Sequence, residues 1–169
     1  MSKENADKEQ KRSFKREVFS WIACIVVTIL LTEFILNFVI INANIPSGSM
    51  ENTIMTNDKL IALRTSYWFN DPKRGDIIIF KYPDDETEWF IKRVIALPGE
   101  TVLVKDGKVY INGSKKALSE PYIKEEPVED FGPYKVPKNG YFVMGDNRNN
   151  SQDSRVSDVG AIHRDELMG

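Results

Sequence analysis

The hydrophobic positions of the chain form one long run followed by many short ones. Residues 18–41 are almost entirely apolar, and at about 1.5 Å per residue a helix of this length can cross a hydrocarbon layer about 30 Å thick. A buried core helix is the alternative, but it would be shorter or carry a polar stripe. Glu33 and Asn37, the only strongly polar residues inside the run, lie four positions apart on one helix face. The pattern predicts one transmembrane helix over residues 18–41.

The charges on either side of this run predict its orientation. Lys and Arg are retained on the cytoplasmic side of a membrane, and here they precede the run, whereas no charge follows it until Glu51. We therefore expect a cytoplasmic basic tail at residues 1–17 and an extracytoplasmic domain at residues 42–169. A cleavable signal peptide would have a shorter apolar region and a small-residue cleavage site, which residues 42–44 match poorly. The basic residues are Lys3, Lys8, Lys11, Arg12, Lys15 and Arg16.

After residue 42 the pattern changes from helical to strand-like. Short runs rich in β-branched and aromatic residues are bounded by Gly, Pro, Asn and Asp. Asp106-Gly107 predicts a two-residue hairpin and Asn112-Gly113 a second turn. The Pro-rich, acidic stretch 118–136 has no period, so we expect a long surface loop there with at most one strand, near Tyr122. Helix is expected only in the anchor and in a turn around residues 165–168. The fold class is therefore mainly β, following one N-terminal transmembrane helix, with strands predicted at 77–80, 89–97, 101–104, 108–111 and 141–144.

Composition narrows the possible functions. The 23 Lys and Arg residues and the 25 Asp and Glu residues give a formal net charge of −2, and they are interspersed after the anchor, so the basic field that nucleic-acid binding requires is absent. The single Cys24 cannot form an intramolecular disulfide. The lone His163 has no second His or Cys near it in the sequence, so a zinc site would need carboxylates almost alone. We expect no nucleic-acid partner, no metal and no cofactor, and make no prediction of the oligomeric state.

Three segments are polar where a β core would be apolar. They are residues 45–54, which begin Ile-Pro-Ser-Gly-Ser-Met, residues 90–94 with 74–77 before them, and residues 144–155. A serine hydroxyl is a poor nucleophile unless a neighbouring base takes its proton. No histidine lies in a plausible position, but a lysine can act as the base if its amine is uncharged.

Lys92 is the best candidate for such a lysine. The unperturbed pKa of lysine is about 10.4, and burial can lower it by roughly 3–5 units. The alternative is that strand alternation points Lys92 and Arg93 to opposite faces, one exposed and the other snorkelling to solvent. The pattern alone leaves both interpretations open. The apolar neighbours of Lys92 are Trp89, Phe90, Ile91, Val94 and Ile95.

Taken together, in this order and behind a single anchor, the three segments closely resemble the conserved boxes of the type I signal peptidases. The similarity spans nearly the whole chain, although each segment alone would be weak evidence, since SGSM and GDNR also occur as ordinary turns. The resemblance implies a β domain of the kind shared with self-cleaving repressors. It also implies a membrane-bound serine endopeptidase that cleaves signal peptides from exported preproteins after small residues. Asn52 and Asn149 depart from the usual family pattern, at positions that do not carry the chemistry.

The resemblance also implies residue roles. Ser49 would be the nucleophile and Lys92 its general base. Ser47 would contribute its hydroxyl to the oxyanion hole together with the Ser49 backbone N–H, and Ser151 would orient the lysine amine. Gly48 would permit close approach of the backbone. Four charged residues would hold a salt-bridged turn without direct chemistry: Asp146, Arg148, Asp153 and Arg155.

A substrate groove follows from the same resemblance. An extended peptide beside a strand points alternate side chains the same way, so residues one and three before the scissile bond face one wall. Shallow pockets there would accept only small side chains, which gives an A-x-A preference. A place in the hydrophobic core is equally compatible with Ile54 and Ile91. The groove residues would be Ile45, Pro46, Met50, Ile54, Phe90 and Ile91.

Two other functions fit parts of the sequence. A self-cleaving repressor would share the Ser/Lys chemistry and the β fold, but it would need a DNA-binding domain where this chain has its apolar run. An inert, membrane-tethered binding module would share the fold, but it would have no need of Ser49, Lys92 and Ser151 together. The sequence therefore favours the peptidase.

Overall fold

The structure, a computed structural model, describes the backbone of residues 3–169 and the side chains of residues 14–169. Its contacts divide the chain into two units, the first ending at Ile40 and the second running from Ile41 to Gly169. The boundary lies one residue before the position expected from the sequence.

The first unit is helical. Helix α1, Lys3–Phe34, continues as a π-helical turn over Ile35–Val39. Phe14–Val39 is long and apolar enough to cross a membrane, and its most apolar 18-residue window has a mean hydropathy of 2.4. The Asn37 amide donates to the Glu33 carbonyl oxygen at 2.8 Å and to Glu33 Oε2 at 3.1 Å, so these two polar side chains satisfy each other within the helix. Helical structure ends two residues before the predicted limit, because residues 40 and 41 begin a strand.

The second unit consists of short strands in three sheets. The sheet orders are β1-β2, β3-β4-β8-β9 and β6-β5-β7, and neighbouring strands of the two larger sheets are antiparallel. Strand β4 is the longest and runs through the middle of the second sheet. The strands are β1 Ile40–Asn44, β2 Lys59–Leu63, β3 Ile77–Tyr82, β4 Asp85–Ala96, β5 Thr101–Lys105, β6 Lys108–Ile111, β7 Phe131–Lys135, β8 Gly140–Met144 and β9 Ile162–His163.

The five strands predicted from the sequence are confirmed as β3, β4, β5, β6 and β8. The predicted hairpin is also confirmed, because Lys105 and Lys108 are opposite each other across β5 and β6. Asp106 and Gly107 both have positive φ, 50° and 74°, which is the geometry of a type I′ turn and the reason why Asp-Gly is favoured there.

Other expectations about the β domain were wrong. The aperiodic stretch contains a strand, but at Phe131–Lys135, where β7 pairs with β5, and not near Tyr122. The register of the β5–β7 pairing shifts between Val102 and Val104 of β5. We attribute to this shift the lack of a regular alternation of polar and apolar residues in β7. Helix outside the anchor includes a 3-10 turn at Arg64–Tyr67 as well as the one at Arg164–Glu166, near the expected position.

The hydrophobic core covers both faces of the central sheet. Alternate residues of β8 belong to different clusters, Phe142 and Met144 to one and Tyr141 and Val143 to the other, as the two-residue period of a strand requires. The last five residues of β4, 92–96, are all buried. A side chain on this part of β4 therefore has little access to water, whichever face it occupies. The first cluster also contains Ile95, Ala96, Val102, Val104, Val109 and Val136, and the second Ile78, Phe80, Val94, Val159 and Ile162.

Candidate active site

The structure brings the predicted nucleophile and base together. Ser49 lies in the turn of residues 47–51 after β1, called here the serine turn, and Lys92 lies on β4 opposite Ile78 of β3. Lys92 Nζ donates a hydrogen bond to Ser49 Oγ at 3.0 Å. Only 8% of Ser49 and 4% of Lys92 is exposed. A buried amine in hydrogen-bond contact with a hydroxyl can take the proton of that hydroxyl once the amine is uncharged.

Burial makes the protonated form of the Lys92 amine less stable. It lowers the pKa of this amine to about 8, against the charge of Asp153, which acts in the opposite direction. At pH 7 about one molecule in ten then has a neutral Lys92, compared with about one in a few thousand for lysine in water. The amine also donates to the Ile91 carbonyl oxygen at 3.0 Å and lies 5.0 Å from the centre of the Phe90 ring.

The alternative of an exposed and a snorkelling side chain is wrong. Arg93 is 9% exposed, so both adjacent cations are buried. Its guanidinium binds the Asp146 carboxylate with two parallel hydrogen bonds, Nε to Oδ1 at 2.8 Å and Nη2 to Oδ2 at 2.6 Å. It also donates to the Gly75 carbonyl oxygen at 2.8 Å. Arg93 thus has a carboxylate partner, whereas Lys92 has none among the described residues.

Ser47 and Gly48 lie beside Ser49, the predicted nucleophile. Ser47 Oγ is 3.4 Å from Ser49 Oγ, so a second hydroxyl lies next to the Ser49 hydroxyl. A Cβ on Gly48 would lie 2.6 Å from Glu51 Oε1, closer than such atoms approach. The glycine therefore allows the serine turn to fold onto its own Glu51 side chain, in addition to any role in approach to a substrate.

Ser151 lies in the same cleft but does not bond to the lysine amine. Its Oγ is buried and has no hydrogen-bond partner among the described residues. Gly145 lies against it, and a Cβ at Gly145 would overlap both the Ser151 hydroxyl and the Ser49 carbonyl oxygen. Gly145 is a site residue that the sequence analysis did not single out, although it lies inside the third polar segment.

The charged residues of the third segment hold its loop, residues 145–155, called here the polar loop. Both oxygens of Asp153 bind Arg155, at 2.8 and 2.9 Å, and Asp153 Oδ2 also accepts from the Gly145 N–H at 3.0 Å. Arg155 Nη2 donates to the Arg148 carbonyl oxygen at 2.6 Å. Together with the Asp146–Arg93 pair, these contacts hold the loop, and the purely structural role expected for the four charged residues stays a prediction.

Asn147 connects the polar loop to the serine turn. Its backbone N–H donates to the Ser49 carbonyl oxygen at 3.0 Å, and its side-chain amide donates to the Gly48 carbonyl oxygen at 2.9 Å. The residue is 2% exposed. The sequence analysis missed this role, and the only signal available was a polar residue inside a motif.

A cleft of about 780 Å³ extends from the dyad along β1 and β4. All six predicted groove residues line it, and Ile45, Met50 and Ile54 also form a buried cluster against which Ile91 packs. Lining the cleft and packing in the core are therefore compatible, and the role of these residues in binding a substrate stays a prediction. Nine further residues that were not predicted as site residues also line the cleft: Asn42, Ala43, Asn44, Ile79, Thr87, Glu88, Trp89, Asn150 and Gln152.

The two strands that border the cleft each have an unpaired edge. Within the part of the chain that the structure describes, strand β1 pairs only with β2. In the same part, strand β4 pairs with β8 from Arg93 onward and with β3 alone before that. An unpaired strand edge offers backbone N–H and C=O groups to an added strand. An extended peptide between β1 and β4 could therefore bond to both.

Comparison with known proteins identifies what this arrangement resembles. Residues 18–169 match the family model described as "Signal peptidase, peptidase S26". A probable signal peptidase I-2 of Synechocystis sp. is 44% identical over 85% of this chain, which spans 66% of that relative. A signal peptidase I of Bacillus amyloliquefaciens is 36% identical over 95% of this chain and 89% of its own length. The crystal structure of a signal peptidase I from Enterococcus faecalis matches with a TM-score of 0.51 and 36% identity, covering 59% of this chain and 96% of that one.

Replacing Asp146 by Asn tests the buried ion pair behind the dyad. Asp146→Asn removes the counter-charge of Arg93 and leaves a guanidinium buried, so we expect the free energy of unfolding to fall by about 3–5 kcal/mol. Denaturant unfolding of the full chain in detergent, followed by tryptophan fluorescence, measures this change.

Glu86→Gln is the matched control, because the Lys81–Glu86 pair is largely exposed and such pairs contribute about 0–1 kcal/mol. Equal, small effects of both substitutions would contradict a structural role for the Arg93–Asp146 pair.

Proposed function

The chain belongs to the S26 signal peptidases, membrane-anchored serine peptidases that cleave signal peptides, and we propose that it does so with Ser49 as nucleophile and Lys92 as general base. Its activity is that of a type I signal peptidase. The observation that carries the proposed roles is the 3.0 Å hydrogen bond between Ser49 Oγ and the buried Lys92 amine.

The proposed reaction has two steps that use the same amine. Neutral Lys92 takes the proton of Ser49 as Oγ attacks the carbonyl carbon of the scissile peptide bond. Lys92 then gives that proton to the departing amine of the residue after the bond. The acyl group remains on Ser49. Lys92 next activates a water molecule that hydrolyses this ester and releases the signal peptide. The Ser49 backbone N–H and the Ser47 hydroxyl would stabilise the oxyanion in both steps.

The direction of the bound peptide follows from the two strands. Ser49 follows β1 in the chain, Lys92 lies in the second half of β4, and β1 follows directly on the apolar helix. A signal peptide is held in the membrane by its apolar part, so its residues before the scissile bond would lie between β1 and β4, parallel to both. Side chains one and three residues before that bond then face the apolar wall of Ile45, Met50 and Ile54, which favours small residues.

The domain arrangement follows from the apolar helix and the charges. We place residues 1–17 in the cytoplasm, the membrane span within Phe14–Val39, and the catalytic domain from residue 42 onward outside the cytoplasm. The lipid bilayer is then the surface shared with membrane-held preproteins. This shared surface raises their effective concentration at the cleft.

The proposed dyad is tested on a preprotein with an A-x-A site. We expect Ser49→Ala to abolish cleavage because the nucleophile is lost, and Lys92→Met to do the same because an apolar chain of similar length replaces the base. Ser47→Ala should lower kcat by about 10²–10³-fold, the usual effect of losing one oxyanion donor. Appearance of mature protein on gels measures all three.

Lys81→Met is the control for these variants, because it removes a lysine from the neighbouring strand β3 at a partly exposed site. It should cleave at the wild-type rate. Cleavage that survives either Ser49→Ala or Lys92→Met in folded protein would refute the dyad.

The pH dependence of cleavage tests the buried base. With a Lys92 pKa of about 8, the neutral fraction increases as the pH rises, so kcat/KM should increase about tenfold per pH unit below 8 and level off above it. Initial rates on a peptide without groups that titrate in this range, measured from pH 6 to pH 10, give the profile. A flat profile over this range would exclude Lys92 as the base.

Protease protection tests the orientation. In sealed inverted vesicles the catalytic domain would lie in the lumen, so added protease should remove only the short tail and leave a fragment slightly smaller than the full chain. Detergent should then allow complete digestion, which serves as the control. Complete digestion without detergent would contradict the topology.

A further inference from the structure

The segment of residues 120–125, called here the clamp segment, contacts the polar loop from outside the three motifs. Glu120 accepts two hydrogen bonds from Arg148, Nη1 to Oε2 at 3.0 Å and Nη2 to Oε1 at 2.7 Å. The Arg148 side chain is fully buried and that of Glu120 is 6% exposed. A buried guanidinium without its carboxylate is unfavourable, so Glu120 determines where Arg148 can lie.

Tyr122 extends this contact to the back of the dyad strand. The centre of its ring lies 4.0 Å from the guanidinium carbon of Arg93. Arg93 is the residue next to Lys92 on β4. Its hydroxyl donates to Glu120 Oε1 at 3.1 Å. Burial raises the pKa of this hydroxyl, which keeps it protonated as a donor. The clamp segment therefore contacts both buried arginines, one on β4 and one in the polar loop.

The rest of the clamp segment, residues 124 and 125, contacts both the polar loop and the serine turn. The Lys124 N–H donates to the Asp146 carbonyl oxygen at 3.0 Å, and Glu125 forms a parallel bridge with Asn147. Lys124 Nζ binds Glu51 Oε2 of the serine turn at 2.8 Å. The segment thus joins the polar loop to the serine turn without touching the cleft.

A continuous path leads from Glu120 to the nucleophile. Arg148 Nε donates to the Gly145 carbonyl oxygen at 3.0 Å, which fixes the start of the polar loop. Its neighbour Asn147 bonds the Gly48 and Ser49 carbonyl oxygens. A shift of Arg148 would therefore move the backbone of Ser49 relative to Lys92, which belongs to a different element.

Building on the proposed dyad, we propose that Glu120 is a positioning residue: through Arg148 and Asn147 it holds Ser49 at hydrogen-bond distance from Lys92. Among the described residues, its hydrogen bonds go to Arg148, Tyr122 and Ile123, none of which lines the cleft. Its loss should therefore lower the rate of the chemical step and leave peptide binding unchanged. A misplacement of about 1 Å in such a pair can cost about 10²-fold in rate.

Glu120→Gln in the full-length, detergent-solubilised protein tests this role. The amide keeps the size of the side chain and removes its charge. We expect kcat for an A-x-A peptide to fall at least tenfold with KM within twofold of wild type. Hydrogen exchange measured by mass spectrometry should become faster in peptides covering residues 47–51 and 145–150. Tyr122→Phe, which removes only the hydroxyl bond to Glu120, should lower kcat in the same direction by a few fold.

Glu100→Gln is the matched control. Glu100 also binds an arginine with two hydrogen bonds, Arg74 Nη2 at 2.6 and 2.8 Å, but Arg74 bonds to β4 at the Ile95 carbonyl, away from the serine turn. This variant should lose stability and keep its kcat and its exchange at residues 47–51. Wild-type kcat in folded Glu120→Gln, or equal losses of kcat in the two variants, would overturn the proposal.

The exchange measurement separates this inference from the proposed function. If the wild-type protein cleaves no peptide, the peptidase assignment fails, whereas faster exchange at residues 47–51 in Glu120→Gln alone would still support the positioning path. Unchanged exchange in that variant would refute the path, even in an active enzyme.

Discussion

The site depends on one buried amine that is kept away from any bound counter-charge. Among the described residues, Lys92 bonds only to neutral oxygens, Ser49 Oγ and the Ile91 carbonyl. Burial is therefore not offset by an ion pair, and the pKa of the amine falls. The carboxylate that acts most strongly against this shift belongs to Asp153. That carboxylate is bound by Arg155 and by the Gly145 N–H. The carboxylate that acts on Lys92 from a distance is thus already paired within the polar loop.

Two adjacent cations on β4 show how partners decide the state of a buried charge. Arg93 binds Asp146 and stays charged, while Lys92 contacts no carboxylate and loses its proton more easily. Both are buried because β4 is covered on each side by a different apolar cluster. The two-residue period of a strand predicts that the two side chains lie on opposite faces, but it does not predict that both faces are buried. Burial of both faces depends on which other parts of the chain pack against them.

The sequence predicted those parts of the fold whose signal is local. Alternating runs and Asp106-Gly107 identified five strands and a hairpin, because pleat period and turn geometry act over a few residues. Strand β7 was not predicted, since its pairing with β5 changes register and leaves no period. The proposed dyad came from three polar segments that resemble a family. Asn147 and Glu120 were missed because their roles depend on contacts between distant segments, and nothing in the residues next to them marks those contacts.

The polar loop and the clamp segment explain why a short β domain contains so many buried ions. Buried ion pairs add little stability compared with apolar side chains of the same size. Their contribution is often to conformational specificity, because they favour one packing arrangement over the others. Here the serine turn is held through the Gly48 and Ser49 carbonyl oxygens, which bond to Asn147, and not by a strand ladder. A loop that must present those donors at fixed positions needs directional contacts, which carboxylate and guanidinium pairs provide better than apolar packing. On the proposed positioning role of Glu120, the charge network is the support that sets the distance between a hydroxyl on one element and an amine on another.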